Sequence, residues 1–596
     1  MIHLHVRSWF SFLAGGSSPE QLAFRAAALG QPALALTDLH GIYGAVRFAQ
    51  ACKKVGVRPI FGATVMVRVP QPGKPVITPL VLLCQNRDGY ANLCRLISTA
   101  HARSKEHPLL EVAEFEDLTD SLICLTGGPE SWIDRVVPTS QRPAQLAWLQ
   151  TLANLFPGAL YVELAPTGLE GDRIRLDRLA RLAEQTHLPT VLTNAVRFSV
   201  PEDYPRYDAL RCVGLGITVG DPHPERPAND RAYLGTAEDL AGQFGATLMP
   251  LFLRSCEQTQ VVAWRCQLEL LPEFITPPTA DLPPGTDPEA YLRELCRHGH
   301  QQRYGRLPSL EAARVQLDKE LGVVAELELC EFFLVVREVT DFARQNRIRC
   351  AGRGSAANSI IAYVLGITAV DPLAHRLLFE RFLHRGRKGM PDIDVDFDSE
   401  RRPEVIAWME RRFGAEHCAM TATVQTYQMR GAVREMMKVL GFDPTLVDRI
   451  SQTVGQWDNA ATFKSRRAEH EAVLGPTPLL DVLYCLIDSL RHCPRHLGLH
   501  SGGVLLTREP LSRYSPIQTS AGGYRQVQCD KDDAEALGLI KFDVLGLRML
   551  SVLSEAVKLL WEDTRVRVDL DGLPFDDEGT FELIRSGQTM SLFQIE

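Results

Sequence analysis

Between Met390 and Glu400 the chain reads Met-Pro-Asp-Ile-Asp-Val-Asp-Phe-Asp-Ser-Glu, so Asp392, Asp394, Asp396 and Asp398 alternate with Ile393, Val395 and Phe397. On a strand, whose side chains alternate with a period of two, the acids share one face and the apolar residues the other. Two readings of that face are open: a solvated acidic edge, or carboxylates held together by divalent cations. Mg²⁺ takes one or two carboxylates together with substrate phosphates. Upstream, Gly352-Arg353-Gly354-Ser355 follows a short strand and precedes a helix expected to start near Ala356. Glycines admit a phosphate close to the backbone and free amides at a helix start bind it; Arg353 and Ser355 add a guanidinium and a hydroxyl. An ordinary tight turn is the alternative, and the Gly-Lys-Ser/Thr ending of a Walker-type loop is absent. Arg381, Arg385, Arg387 and Lys388 precede the acids, and Arg401 and Arg402 follow them. As surface pairs they would contribute ~0–1 kcal/mol each. Phosphate turn, acidic strand and clustered arginines together describe a phosphoryl-transfer site, and the combination is more specific than any of its parts.

Lys541 and Asp543 stand inside the apolar run Leu537–Leu547. Burying a charge is costly unless it is paired or coordinated; the two share a strand face and can also pair with each other. Arg430, Arg434 and Lys438 recur every four residues and form one basic stripe on a helix. That stripe is either a solvated face or a sequence-independent grip on nucleic-acid phosphates. Near the start, His3 and His5 share a strand face and Asp38 ends a strand, a combination able to hold a metal.

The elements that must position these groups follow from hydrophobic patterning. Ala33–Thr37, Pro59–Val67, Leu80–Cys84, Leu122–Thr126, Leu160–Leu164 and Thr190–Asn194 read as buried strands. They alternate with helices predicted over Pro19–Leu29, Tyr43–Lys53, Gly89–Thr99, Ala144–Leu155 and Arg173–Glu184. Such βα repetition implies a parallel sheet or barrel with its site at the C-terminal strand ends. Pro272, Pro277, Pro278, Pro283, Pro284 and Pro288 break the pattern and mark a linker. Beyond it the chain turns helical, and Phe332, Val335, Val336, Val339, Phe342 and Ala343 recur at helical spacing. The net charge of −9 confines any polyanion site to a local basic surface. The 14 cysteines form no Cys-x-x-Cys pair and suit reduced thiols in a cytoplasmic chain. No apolar run reaches membrane-spanning length.

Two resemblances rest on these residues. The first 270 residues resemble the PHP domain, a distorted βα barrel that in intact members holds metals with His, Asp and Glu. The departures are specific. Thr37-Asp38-Leu39-His40 stands where the family reads Thr-Asp-His-Gly, Thr64 takes a ligand Glu position, and Thr193-Asn194-Ala195-Val196-Arg197 replaces Thr-Asn-Asp-x-His. A guanidinium cannot ligate and repels cations. His3, His5 and Asp38 are left, with His40 or His101 as partial substitutes, so the expectation is a structural barrel with a vestigial site rather than an active phosphoesterase or exonuclease.

Gly352–Ser355, Phe379–Leu383 and Met390–Phe397 resemble the palm of bacterial C-family DNA polymerases, the DNA polymerase III alpha-subunit family. The resemblance implies a polymerase-beta-like nucleotidyltransferase palm with an inserted helical thumb. Domains are expected over residues 1–270 (barrel), 271–288 (linker), 289–425 (palm), 426–492 (thumb), 493–550 (palm) and 551–596 (truncated start of the fingers). It implies templated DNA synthesis with two Mg²⁺ ions held by Asp392, Asp394 and Asp543, the last matching the family's third carboxylate. Asp396 is then structural, and Asp398 and Glu400 are solvated. Arg353, Gly354, Ser355, Arg381 and Lys541 would hold the incoming triphosphate, and Arg430, Arg434 and Lys438 the duplex backbone. His500, in a His-x-Gly-Gly segment, either contacts phosphate or stabilises its turn. Implied partners are primer–template DNA, dNTPs and, through regions outside this sequence, a sliding clamp and other replication or mutagenesis proteins. Ala351–Asn358, Pro391–Asp396 and Gln528–Asp532 look more like the error-prone, damage-tolerant branch than the main replicase. A replicative subunit, an inactive DNA-binding or assembly fragment and a PHP-type phosphoesterase are the alternatives.

Overall fold

Leucine- and valine-rich runs separated by amphipathic stretches give six strands in the first part of the chain: β1 (Ala33–Leu36), β2 (Arg58–Val69), β3 (Val76–Cys84), β4 (Leu122–Leu125), β5 (Leu160–Leu164) and β6 (Thr190–Leu192). They lie side by side in chain order. The computed structural model describes every residue except 71–74, 136–141, 273–277, 281, 387–392, 571, 575, 593, 594 and 596. Asp392, Arg387, Lys388, Met390, Pro391 and Pro277 are thus outside the described residues. β1–β2, β4–β5 and β5–β6 pair in parallel, whereas β3 runs antiparallel to both neighbours. The reversal departs from the all-parallel expectation for a simple reason. A parallel crossover needs a dozen or more residues, and the connection from Val69 to Val76 is a hairpin-length link.

The ring is closed by the N-terminal segment. Ala35 and Thr37 amides donate to the His3 and Val6 carbonyls at 2.9 and 2.7 Å, and Val196 donates to His5 and Arg7 to Val196, both at 2.9 Å. His3–Arg7 therefore bridges β1 to the chain beyond β6 and is itself part of the barrel wall. The surrounding helices start where the sequence supplies caps. Ser18 and Gln21 form a reciprocal capping box before Pro19–Ala28, and the Asn86 side chain accepts from the Asp88 and Gly89 amides before Arg87–Arg103.

Seven further strands follow: β7 (Cys350–Arg353), β8 (Asp394–Asp398), β9 (Cys418–Thr426), β10 (Pro494–Leu506), β11 (Ile517–Thr519), β12 (Arg525–Val527) and β13 (Ile540–Leu547). The chain divides into two compact units. The first comprises Met1–Glu273, Ala422–Leu499 and Leu511–Leu537, and the second Phe274–Thr421, His500–Pro510 and Gly538–Glu596. Within the first unit the helical segment read as a thumb shares a core with the barrel. Ala432, Val433, Met436 and Met437 of helix Met429–Val439 pack in one cluster with Phe10, Tyr43, Leu210 and Cys212. Each such large apolar side chain contributes about 1.5–3 kcal/mol by its burial.

In the second unit the strand order is β10-β13-β8-β7. Its apolar face, with Val395, Phe397, Phe542 and Val544, meets Val336 and Val339 of helix Cys330–Gln345 and Met409 of helix Arg402–Phe413. That packing fixes which face carries the acids: period-two alternation leaves Asp394, Asp396 and Asp398 on the other side. Among the described residues no helix is long and apolar enough to cross a membrane.

Candidate active site

Strand register brings the chemical groups together. β10–β13 pairs Gly503 with Asp543, β13–β8 pairs Asp543 with Asp394, and β8–β7 pairs Asp394 with Arg353. Residues paired across neighbouring strands point to the same face, about 5 Å apart. Asp394 and Asp543, some 150 positions apart in sequence, are therefore adjacent carboxylates. Asp543 is buried; its Oδ2 accepts from Lys541 Nζ, and its Oδ1 is buried with no hydrogen-bond partner among the described residues. Arg353 Nε lies 3.4 Å from Asp396 Oδ1 and 4.0 Å from Asp394 Oδ2. Burial raises the Asp396 pKa, and Arg353 offsets this only in part. Adjacent carboxylates repel, and an orphaned buried oxygen is costly. The donor set thus suits a hard divalent cation. Among the described residues no group of three or more His, Cys, Asp or Glu converges on one point, and Asp392 lies outside them.

Two glycines make the arrangement possible. Gly354 adopts φ +67°, and a Cβ there would come within 3.5 Å of Asp394 Oδ2, so the left-handed turn seats the Gly-Ser loop beside that carboxylate. At Gly503 a Cβ would stand 3.0 Å from both Lys541 Cδ and His500 Nδ1, so its absence lets the lysine stem cross the sheet toward Asp543. His500 Nδ1 accepts from the Gly502 and Gly503 amides at 3.2 and 2.7 Å. That use of the Nδ1 lone pair puts the ring proton on Nε2. The turn-stabilising role is present in the geometry.

The helix expected from Ala356 is not there. Gly354–Asn358 forms a 3₁₀ turn closed by Asn358 Nδ2 donating to the Ser355 carbonyl at 2.9 Å, and a short α-helix begins only at Ile360, capped by Ser359. Asn and Ser side chains here hydrogen-bond local backbone and divert it from the α-helix. The Gly-Ser loop therefore lacks a full helix dipole and presents backbone amides, Ser355 and the exposed Arg353. Arg381 is exposed on the turn Phe379–Arg381.

Three residues that sequence reasoning missed or misread hold this frame. Glu320, fully buried on helix Leu310–Glu326, accepts from Ser359 Oγ at 2.8 Å, the Ile361 amide at 3.3 Å and Gln316 Nε2 at 2.9 Å. Its sequence signal is an acid within the apolar stripe Leu317, Leu321, Val324. Asp398 is buried, not solvated. It accepts from Ser551 Oγ at 2.6 Å and the Glu400 amide at 3.0 Å, the serine standing in the first turn of helix Arg548–Thr564. Those hydrogen bonds outweigh burial and hold its pKa below the ordinary value. Arg402 Nε donates to the Val544 carbonyl at 2.7 Å, tying the helix after β8 to β13.

Residues 290–546 match the family described as bacterial DNA polymerase III alpha NTPase domain, residues 3–167 the PHP domain, and residues 549–596 the bacterial DNA polymerase III alpha subunit finger domain. An error-prone DNA polymerase of Symbiobacterium thermophilum is 35% identical over 100% of this chain and 55% of its own length. The DNA polymerase III subunit alpha of Bacillus subtilis is 31% identical over 100% of this chain and 52% of its own. The chain belongs to the bacterial DNA polymerase III alpha-subunit family. It spans about half the length of the curated relatives it matches. A crystal structure of a metal-dependent phosphoesterase from Bifidobacterium adolescentis aligns with 32% of this chain and 86% of that one at 14% identity and a TM-score of 0.22, too low to bear on the argument.

Within this family frame the barrel residues take distinct places. His3 Nε2 bonds the Gly235 carbonyl at 2.9 Å, while His5 Nδ1 meets Glu163 Oε1 at 2.8 Å, so the two histidines do not share a partner. Asp38 is saturated by the Ser8 amide, Ser8 Oγ and Ser11 Oγ at 2.7–2.8 Å. Burial raises its pKa to about 6 despite those bonds, and burial also drives His5 toward its neutral form. Arg197 Nη1 stands 3.5 Å from His5 Nε2, and Arg197 and Arg7 both grip Glu130, at 2.9 and 3.0 Å. Arg7, Glu130 and Glu163 had no place in the sequence reading, because their convergence depends on barrel closure. His101 Nε2 bonds the His40 carbonyl at 2.8 Å, away from His5. In the inserted helices, Arg430, Arg434 and Lys438 are exposed along Met429–Val439, opposite its buried methionines, and Arg434 pairs with Asp448 at 2.9 Å.

Proposed function

We propose that this chain carries the nucleotidyltransferase centre of a DNA-templated DNA polymerase of the error-prone, translesion branch. The single observation that supports this most is the rung Gly503–Asp543–Asp394–Arg353, with an orphaned carboxylate oxygen and a Gly-Ser turn at one end. Asp394 and Asp543, joined by Asp392, would hold two Mg²⁺ ions. Bound there, such ions acidify a primer 3′-hydroxyl and neutralise the triphosphate and departing pyrophosphate. Arg353, Gly354, Ser355 and Arg381 bind the triphosphate by charge and amide contacts, and Lys541 turns from Asp543 toward it. Template pairing supplies base choice. The error-prone assignment is supported by the names of the relatives in the 35–36% identity range, against 31% for the replicative subunit. A sliding clamp and other replication or mutagenesis proteins are the proposed partners of regions beyond this sequence. The deciding experiment is primer extension by this chain alone and mixed with the polypeptide covering the rest of a relative's length. Extension in neither case refutes the reading.

Two smaller predictions accompany it. Replacing Arg430 and Lys438 with Ala is expected to weaken duplex binding uniformly across sequences and to lower the log–log salt slope by about two, roughly 0.9 per phosphate contact. An unchanged slope in a salt titration assigns the stripe to solvent. In the barrel, Arg197 beside His5 repels a cation where ligands are already missing. Adding Mn²⁺ or Zn²⁺ to the full chain should therefore elicit no chelator-sensitive phosphomonoesterase or 3′-exonuclease activity; a robust activity abolished by EDTA would overturn the vestigial reading.

A further inference from the structure

One loop of the inserted helices carries a large apolar ring that nothing in the chain covers. Trp457 is 90% exposed, the most exposed large apolar side chain among the described residues. Leaving an indole in water forgoes the gain of burying it, and the loop that does so is firmly built. The Gly455 amide donates to Asp458 Oδ2 at 2.8 Å, and the Asp458 amide donates to the Gly455 carbonyl at 3.3 Å. Gln456 and Trp457 form the tip of the tight turn so closed. Arg466 fastens it, pairing with the Asp458 carboxylate and donating to the Thr453 carbonyl at 2.8 Å. Before the turn, Val454 is buried in the core of the insertion. After it, Asn459 caps helix Ala460–Ser465 by accepting from the Thr462 amide at 3.0 Å. The turn is held at both ends, so the indole is presented on a fixed backbone.

The helix pair before the turn decides what lies beside it. After the link at 440–443, helix Pro444–Gln452 returns along helix Met429–Val439, and the Arg434–Asp448 pair at 2.9 Å sets their alignment. Residues four apart share a helix face, so one turn further on Gln452 stands opposite Arg430. The Trp457 turn leaves the pair at that end. Asp448 offsets the Arg434 charge, whereas Arg430 and Lys438 are exposed and form no ion pair among the described residues. Cations beside an aromatic ring are the footprint of single-stranded nucleic acid: the cations take phosphates and the ring takes a base face. Inside a duplex the base faces are covered by their neighbours, so a lone indole on a fixed turn selects unpaired bases. An apolar peptide would need further apolar groups around the ring, and Gly455, Gln456 and Asp458 stand there instead. We propose that Trp457 is a stacking platform for an unpaired base, with Arg430 on an adjoining phosphate, so that this end of the insertion binds the single-stranded overhang of a primer–template. The inference rests on the DNA-binding reading of the Arg430–Lys438 stripe and adds to it a preference for strand form.

The test is fluorescence anisotropy of the full chain with a labelled blunt duplex and with the same duplex carrying a 5′ single-stranded overhang. The wild type is expected to bind the overhang DNA more tightly than the blunt duplex. W457A should weaken overhang binding by about fivefold or more and leave blunt-duplex affinity unchanged, while W457F, which keeps an aromatic face, restores most of the loss. R430A/K438A should weaken both. Overhang DNA should also quench tryptophan fluorescence more in the wild type than in W457F. Absence of DNA binding, equal wild-type affinity for the two DNAs, no loss in W457A, or an equal loss on both DNAs each overturns the proposal. If W457A melts early, the quench decides: a larger quench in the wild type than in W457F supports stacking, and an equal quench refutes it. Primer extension separates this inference from the polymerase reading. A chain that stacks the overhang yet extends no primer, alone or complemented, refutes that reading only; one that extends primers while W457A binds as the wild type does refutes the stacking platform only.

Discussion

Asp543→Asn is expected to reduce nucleotide addition by about a thousandfold, of the order seen when a preorganised charge at a transition state is removed, in a form of the protein that extends primers. It should also reduce Mn²⁺ binding by this chain, measured by electron paramagnetic resonance. The reasoning is electrostatic. Asp543 sits directly across from Asp394, with one oxygen on Lys541 and the other buried and unpartnered among the described residues. In the absence of cation, Lys541 compensates part of the paired negative charge; the remaining oxygen is the unsatisfied group that a cation would complete. Asparagine keeps the volume but removes the charge, leaving a single described carboxylate on the rung and weakening its hold on Lys541, which is 21% exposed and so stays solvated. Folding and duplex binding should change little, since neither the apolar face of the sheet nor the Arg430–Lys438 stripe involves this oxygen. Retained synthesis, or retained Mn²⁺ affinity at Asp543→Asn with loss at Asp394→Asn, would move the third ligand elsewhere.

What the sequence made legible, and what it hid, divides by the range of the interaction. The six barrel strands and their helices follow from local periodicity, and the structure places them within a few residues of the predicted bounds. The reversed β3 was equally readable in principle, since the link before it is too short to cross over. The alternation of Asp394–Asp398 with Val395 and Phe397 fixed two faces correctly, yet not what covers the acidic one. Asp398 looks solvated until helix Arg548–Thr564 brings Ser551 onto it, a contact between residues far apart in sequence. Arg353 at the end of Asp394's rung is likewise a matter of register, which no local pattern specifies. The Gly-Ser turn misled differently: Ala-Ala after it favours helix, while Asn358 and Ser359 capture the backbone in a 3₁₀ turn. The departures from the barrel family's pattern at Leu39, Thr64 and Arg197 could be read directly. That Arg7 joins Arg197 on Glu130 required the His3–Arg7 segment to close the barrel.

Glu320→Gln is expected to stabilise the protein relative to wild type as pH rises, by about 2.5 kcal/mol between pH 5 and pH 8. Glu320 is fully buried, and desolvation raises its pKa from 4.5 to about 7, against the pull of Gln316, Ser359 and the amides that follow. The folded state thus holds a proton that the unfolded chain releases near 4.5. Between those values the native state binds more protons, so stability is present at low pH and is lost as pH rises through 7, with each pH unit in that window removing about 1.4 kcal/mol. Glutamine cannot titrate, so its stability lacks this loss. Its carbonyl can accept from Ser359 and Ile361 while its amide donates to a flipped Gln316, preserving the cap. Comparing wild type and variant by chemical denaturation at both pH values cancels the other shifted groups, Asp38, Asp134 and Asp533 among them, which are present in both chains. A flat difference across the range would show that the carboxylate is not desolvated in solution. A growing difference, with triphosphate affinity of the variant held constant at pH 8, would identify Glu320 as the acid that positions the Gly-Ser turn through Ser359 and does so without needing its charge.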